Sequence, residues 1–304
     1  MPQPTETIAA LNAQHAIPQI AEIIETSPGV AAVRITTKSC TATMHLHGAQ
    51  ITSWQPPNTP EVIFMSSKAT FAEGKAIRGG IPICFPWFRA KSDDANAPAH
   101  GFVRTKNWAL ESIQQQGENV AVTMRTASDD STKKYWPHDF RLQLRATFGA
   151  ELKLELTVTN LGATECSYSE ALHTYYNVGE ISAARIQGLA NAVYLDNTDG
   201  NKEKQQAGEV AISKATDSAY INNESALTLI DPILKRRIRI QKQNSHTTVV
   251  WNPWKEAAEK MSDMGQDEWK KMLCAEGANI LANSVVLQPG ATHTTTVMMT
   301  VAPL

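Results

Sequence analysis

Cysteine is scarce and scattered: Cys40, Cys84, Cys166 and Cys274 in 304 residues, with no C-x-x-C and no short framework spacing. In a chain of this length that pattern excludes a disulfide scaffold and a zinc knuckle, and it reads as free thiols in a reducing compartment. Long apolar runs are missing as well, so no membrane span is expected. The opening "MPQPTETIAALNAQHAIPQIAEII" lacks a basic segment followed by a continuous apolar one, which argues against a secretory leader. A cytoplasmic location is the expectation. Neither sign of charge dominates: 28 Lys and Arg face 30 Asp and Glu, a formal net charge of −2. No overall basic field invites nucleic acid or an anionic membrane, so recognition of an anion has to come from a few placed side chains. The phosphate-loop pattern G-x-x-x-x-G-K-[ST], the dinucleotide G-x-G-x-x-G and the hydrolase G-x-S-x-G are also absent.

What is present is an apolar fraction of 42%, enough for a substantial core, arranged mostly with a period of two. "AAVRITT", "CTATMHLH", "VAVTMRT", "RLQLRATF", "ELKLELTVT", "RIRIQ", "HTTVVW" and "HTTTVMMTVA" are short and rich in Val, Ile, Leu or Thr. Several alternate apolar and polar residues, as half-buried antiparallel strands do. In "ELKLELTVTN", Leu152, Leu154, Leu156 and Val158 share one face. Turn formers separate the runs. The fold class expected is all-β, one large antiparallel β-sandwich. Thr5 onward to about Ile24 reads as an amphipathic helix interrupted by Pro18. The expected division is a helical extension over 1–26 and a single β domain over 27–304. "WKEAAEKMSDMGQDEWKKM" reads as helical only in pieces, broken near Gly265. The basic run "LKRRIRIQK" reads as a solvated strand face.

Four segments break the alternation. In "AIRGGIPICFPWF" Arg78 precedes two glycines, which permit close backbone approach; a tight turn with a solvated arginine is the plainer alternative. "APAHGFVRTKNW" carries His100 and Arg104 among aromatics, where an arginine either stacks or aims its guanidinium at an anion. "ALHTYYNVG" holds His173, a packing residue, a metal ligand or a proton donor. "KMLCAEGANI" sets Glu276 in apolar surroundings, where burial would raise its pKa toward that of a useful base, unless it faces water at a strand end. His173 and Glu276 make a sensible acid and base for moving two protons across one small molecule. A metal site has one candidate, His45 and His47 of "HLH", but no carboxylate follows at the needed spacing, so no metal is expected.

In a fixed order, "HGAQITSW", "IRGGIPICFPWF", "AHGFVRTKNW", "TKKYWPHDFRL", "ALHTYYNVG", "YLDN", "WNPW" and "CAEGANI" resemble the hexose-6-phosphate mutarotases, or glucose-6-phosphate 1-epimerases, of the galactose-mutarotase-like superfamily. The likeness runs through most of the chain from about residue 40. It implies a large antiparallel β-sandwich, catalytic roles for His173 and Glu276, and sugar-phosphate contacts from Arg78 and Arg104. It also implies that His100 lies in the pocket and that Asp196 is a substrate ligand. Three positions depart from the family pattern: Ala99 stands for a glutamine, Asn197 for a lysine, and Arg89 for a glycine.

The activity so implied is interconversion of the α and β anomers of a hexose 6-phosphate, by general acid–base ring opening and reclosure, with no metal or organic cofactor. The expected partner is the small-molecule substrate alone, on a monomer, with neither nucleic acid nor membrane. Two alternatives stay open: an aldose 1-epimerase of unphosphorylated sugars, and a catalytically idle carbohydrate-binding module. A glycoside hydrolase fits less well, because the sequence shows one carboxylate placed for chemistry where that reaction usually needs two.

Overall fold

The leucine face of "ELKLELTVTN" is realised as the strand Glu151–Asn160, whose Leu152, Leu154, Leu156 and Val158 are fully buried. A computed structural model describes residues 6–304 of the chain. Each of the eight alternating runs named above forms a strand. They assemble into antiparallel sheets of nine, eight, four and two strands. The nine-stranded sheet has long, regular partners at its centre, where Thr292–Pro303 lies between Arg236–Gln243 and Glu151–Asn160. The eight-stranded sheet runs through Thr216–Ile221, Thr247–Asn252, Met272–Asn279 and Glu170–Leu172 in that order, with Tyr175–Asn177 also paired to Met272–Asn279.

The two large sheets meet at Gly277. A Cβ placed there would fall 2.6 Å from Cγ2 of Val297 on the nine-stranded sheet, so only glycine allows this approach. Because side chains alternate across a strand, Gly277 and Ala275 face the sandwich interior while Glu276 and Cys274 project from the other face. That alternation decides where the site lies.

The N-terminal region is shorter in helix than the sequence pattern suggests. Thr5, the expected start, lies outside the described residues. The helix is Ile8–His15, capped by the Thr7 hydroxyl accepting from the Ala10 N–H. Pro18 then disfavours helix, and residues 21–27 form the strand Ala21–Ser27 instead, paired with Val30–Thr36. Ala21 and Ile23 are buried and Glu22 is exposed, a period of two that the helical reading overlooked. Asn12 ties the helix to this strand, accepting from the Ile23 N–H at 2.8 Å and donating to its carbonyl at 2.7 Å.

The basic run also differs in part. Arg237 and Arg239 are exposed as expected, but Arg236 is buried and its guanidinium donates to the carbonyls of Pro60, Glu61 and Asn177. Five N–H donors in a fixed fork let arginine satisfy several carbonyls at once, and the charges of Asp231 and Glu61 offset part of the cost of burial. The segment after Trp251 is helical in pieces, Trp254–Ala258 and a single 3₁₀ turn at Glu268–Lys271.

Glu170 is a buried acid between the sheets. Glu170 accepts from the Thr295 hydroxyl and from the Asn279 amide, and burial pushes its carboxyl up to about 7 from an ordinary 4.5. A raised folded-state pKa stabilises the fold fully below pH 4.5, and that contribution is lost as pH rises through about 7. Glu170→Gln is therefore expected to match the wild type at pH 4.5 and to exceed it in urea midpoint by a margin that grows up to pH 7 and then levels off. His293 Nδ1 lies 3.6 Å from this carboxylate and its titration is coupled to the Glu170 charge, so the comparison is made in a His293→Gln background. Parallel stability curves for the two proteins would contradict this assignment.

Candidate active site

Period two across the eight-stranded sheet gathers one set of side chains on its outer face. In register, Glu276 opposes Val249, Cys274 opposes both Trp251 and Tyr175, and Trp251 opposes Asp217. His173 follows the strand Glu170–Leu172, whose Leu172 opposes the inward-facing Gly277, so His173 turns outward. His173, Tyr175, Asp217, Val249, Trp251 and Glu276 floor a cavity of about 260 Å³ whose walls carry Arg78, Phe88, Arg89, Ala99, His100 and Arg104.

Two close approaches fix the walls. His100 and Gly101 both take positive φ, +63 and +74. A Cβ on Gly101 would lie 1.8 Å from the Phe85 carbonyl oxygen. Gly79 (φ +104) is pressed in the same way against the Phe64 carbonyl, which sets Arg78 at the cavity edge. The glycines of R-G-G and H-G-F thus serve backbone contact, while the residue beside each supplies the side chain.

At the centre, His173 Nδ1 lies 3.4 Å from Glu276 Oε1. His173 is 7% and Glu276 1% exposed, and among the described residues neither Nδ1 nor either carboxylate oxygen has a hydrogen-bond partner. Such groups are rarely left unpaired in a native interior. Burial drives the Glu276 carboxyl well above its ordinary range, and the charge of Asp217 adds to this, while Arg89 and Arg104 oppose it. Burial drives the His173 imidazole well below its ordinary range, helped by His100, Arg104 and Arg78. The Tyr175 ring stacks on His173 at 4.9 Å and 11°, and Trp251 meets it edge-on at 5.9 Å.

The three guanidinium groups differ. Arg78 is committed, to Asp263 at 3.1 Å and to the Tyr175 hydroxyl at 2.9 Å. Arg89 pairs with Asp217 at 2.6 Å. Among the described residues Arg104 has no carboxylate partner; it donates to the Ala99 carbonyl, and its Nε is buried without an acceptor. The His100 Nδ1 accepts from the Arg89 backbone N–H at 3.3 Å and lies 3.5 Å from the Cys84 thiol. Burial pushes that imidazole down to about 3, so it is neutral and turns its other nitrogen's N–H elsewhere.

Residues 31–300 match the aldose 1-epimerase family. The chain belongs to that family. A protein of Cenchrus ciliaris named as a candidate glucose-6-phosphate 1-epimerase is 35% identical over 283 residues, 89% of this chain and 84% of its own. One from Escherichia coli K12, named in the same way, is 34% identical over 78% of this chain and 79% of its own. A solved candidate mutarotase from Salmonella typhimurium superposes with a TM-score of 0.89 at 28% identity, covering 95% of this chain and 96% of that one.

Of the six site residues expected from sequence in this epimerase-family chain, five line the cavity and Asp196 does not. Asp196 opposes Ser218, one residue from Asp217, so the pleat sends it to the opposite face. There its carboxylate pairs with Lys204 at 2.8 Å and accepts from Thr198. Asp217 holds the cavity position instead. Its sequence context, "KATDSAYI", is an ordinary strand, and only the pairing with Trp251 marks it. It makes a second carboxylate in the cavity, so the argument from a single one against hydrolysis no longer stands. The departures at Arg89 and Asn197 converge on this same carboxylate, at 2.6 and 2.7 Å.

For possible metal ligands, His45 and His47 are both buried, with His47 Nε2 2.6 Å from the Lys75 carbonyl. Among the described residues, one group with three metal-type donors is His173, Cys274 and Glu276, with donor atoms within 4.8 Å of one another. Three nearby guanidinium groups oppose a cation there.

The register predicts unequal effects for the two aspartates. Asp217→Asn is expected to lower kcat/KM for sugar anomerisation about tenfold or more, the cost of a lost charge-assisted hydrogen bond. Asp196→Asn should leave it within about twofold, since this buried carboxylate is tied to Lys204 and Thr198 on the face away from the cavity. The reverse order would mean that the substrate approaches from the other face.

Proposed function

We propose that this chain interconverts the α and β anomers of hexose 6-phosphates, with glucose 6-phosphate as the first candidate, in the cytoplasm. The observation that carries this reading is the unpartnered pair, His173 Nδ1 3.4 Å from Glu276 Oε1, at the floor of a cavity walled by three arginines. Glu276 takes the proton from the C1 hydroxyl as His173 delivers one to the ring oxygen. The C1–O5 bond breaks and leaves the open-chain aldehyde. Rotation about C1–C2 presents the other face, and the two residues exchange roles to close the ring. No net proton is gained or lost.

Burial favours the resting state with one proton on Glu276 and a neutral His173. Carboxylate with imidazolium holds the same number of protons, and it is the arrangement that begins the reaction. Arg78 and Arg104 oppose the imidazolium. A phosphate dianion seated on Arg104 cancels that opposition, so the substrate's own charge favours the reactive state. Arg104 is the natural phosphate anchor because its charge is not already matched, whereas Arg78 serves Asp263 and Tyr175. Asp217 is placed to accept from sugar hydroxyls. The cation excess in the cavity also favours the phosphorylated substrate over the free sugar.

Exchange spectroscopy on glucose 6-phosphate at anomeric equilibrium tests the reaction against an enzyme-free blank. Wild type should exceed the blank, and His173→Ala and Glu276→Gln should each lose on the order of 10²–10⁴-fold. Exchange at the blank rate with sugar still bound would leave a binding module. Arg104→Ala should raise KM for glucose 6-phosphate about tenfold or more while glucose changes little. An unchanged phosphate preference would remove Arg104 from the phosphate site.

A further inference from the structure

Arg89 has no role in the acid–base chemistry, yet it occupies the cavity wall at an unusual cost. Its φ of +64 is a left-handed conformation that non-glycine residues rarely adopt. The side chain is largely covered, with its guanidinium 5.6 Å from the Phe88 ring. Arg89 donates from one terminal nitrogen to Asp217 Oδ1 at 2.6 Å, and Asn197 donates to Oδ2 at 2.7 Å. Each oxygen of that carboxylate is therefore held from a different loop, Oδ1 from the loop after Trp87 and Oδ2 from the turn after Asp196. The carboxylate is fixed in orientation before any ligand arrives.

We propose that Arg89 is a positioning residue that, with Asn197, clamps Asp217 as an oriented hydroxyl acceptor and matches its charge, so that the cavity reads sugar hydroxyls without placing a second uncompensated carboxylate against Glu276. This rests on the sugar-phosphate reading above and assigns Arg89 to the sugar rather than to the phosphate. Two observations separate those roles. Arg89 is already neutralised by an acid inside the cavity, which makes it a poor free cation for phosphate. Arg104, in the same wall, has its charge unmatched.

The second half of the proposal concerns charge at Glu276. From its own sheet Glu276 faces His173, Tyr175 and Asp217, together with the Cys274 thiol. From the walls come Arg78, Arg89, Arg104 and His100, with the Cys84 thiol behind. Asp217 is the one carboxylate in that set. Its charge raises the Glu276 carboxyl further, and Arg89 works in the opposite direction. Removing the Arg89 charge leaves Asp217 unopposed and makes Glu276 harder to ionise.

The test compares wild type, Arg89→Gln and Arg89→Lys by exchange spectroscopy with glucose 6-phosphate and with glucose, across pH. For Arg89→Gln, KM should rise by a similar factor, about tenfold, for both sugars, because both present the same hydroxyls to Asp217. Because the resting pair carries its one proton on Glu276, the basic limb of the kcat/KM profile should move to higher pH, and Arg89→Lys should move it back. Both results are beyond a merely structural role. A KM increase confined to glucose 6-phosphate would make Arg89 a phosphate ligand and overturn the proposal, as would a basic limb that does not move. If wild type shows no exchange above the blank, the anomerase reading fails by itself; glucose affinity of wild type and Arg89→Gln, measured by titration calorimetry, then decides the clamp, and equal affinities would refute it.

Discussion

One strand carries two incompatible environments on its two faces. At Met272–Asn279 the inward side must be small enough at Gly277 for Val297 to approach, and the outward side must hold a carboxylate with no hydrogen-bond partner. A buried, unpaired carboxyl is expensive, and it persists only where the surrounding structure overdetermines it. Here that structure is a sandwich whose central strands are paired on both sides along their length. The sheets bear the cost of Glu276, and the walls then need only to be shaped around it.

Those walls consist of loops rather than strands, and their shape depends on backbone contacts. Gly79 and Gly101 let Arg78 and His100 stand beside carbonyl oxygens that any side chain would strike. The result is a neutral, buried acid–base pair beneath a cationic rim. Electrostatics of this kind favour an anionic substrate twice over, first by attraction and then by relieving the repulsion that keeps His173 unprotonated. In the mechanism proposed above, binding and activation share one cause.

The alternation of Leu, Val, Ile and Thr made the strands legible because burial on one face of a sheet imposes a period of two wherever it occurs. It failed at Ala21–Ser27, where a short apolar run after a real helix was absorbed into it. His173, Glu276, Arg78, His100 and Arg104 were legible because each stands beside a glycine or an aromatic cluster that breaks the pattern. Asp217 was not, since nothing around it departs from ordinary strand composition, and the motif around Asp196, 21 residues earlier, placed the cavity carboxylate there instead. One residue of register separates the two, and register places them on opposite faces.

The sequence alone determined the antiparallel β class, since alternation follows from local composition, and the likeness of its motifs to the family pointed to His173 and Glu276 as the candidate acid and base. It also located the loops that break the pattern. Tertiary structure alone decided which of the two aspartates lines the cavity and which arginine there is left without a carboxylate among the described residues. It also decided that Arg89 and Asn197, far apart in the chain, hold the same carboxylate. Those outcomes depend on strand register and on ion pairing between distant segments, and both are properties of the assembled sheets that no single stretch of the chain contains.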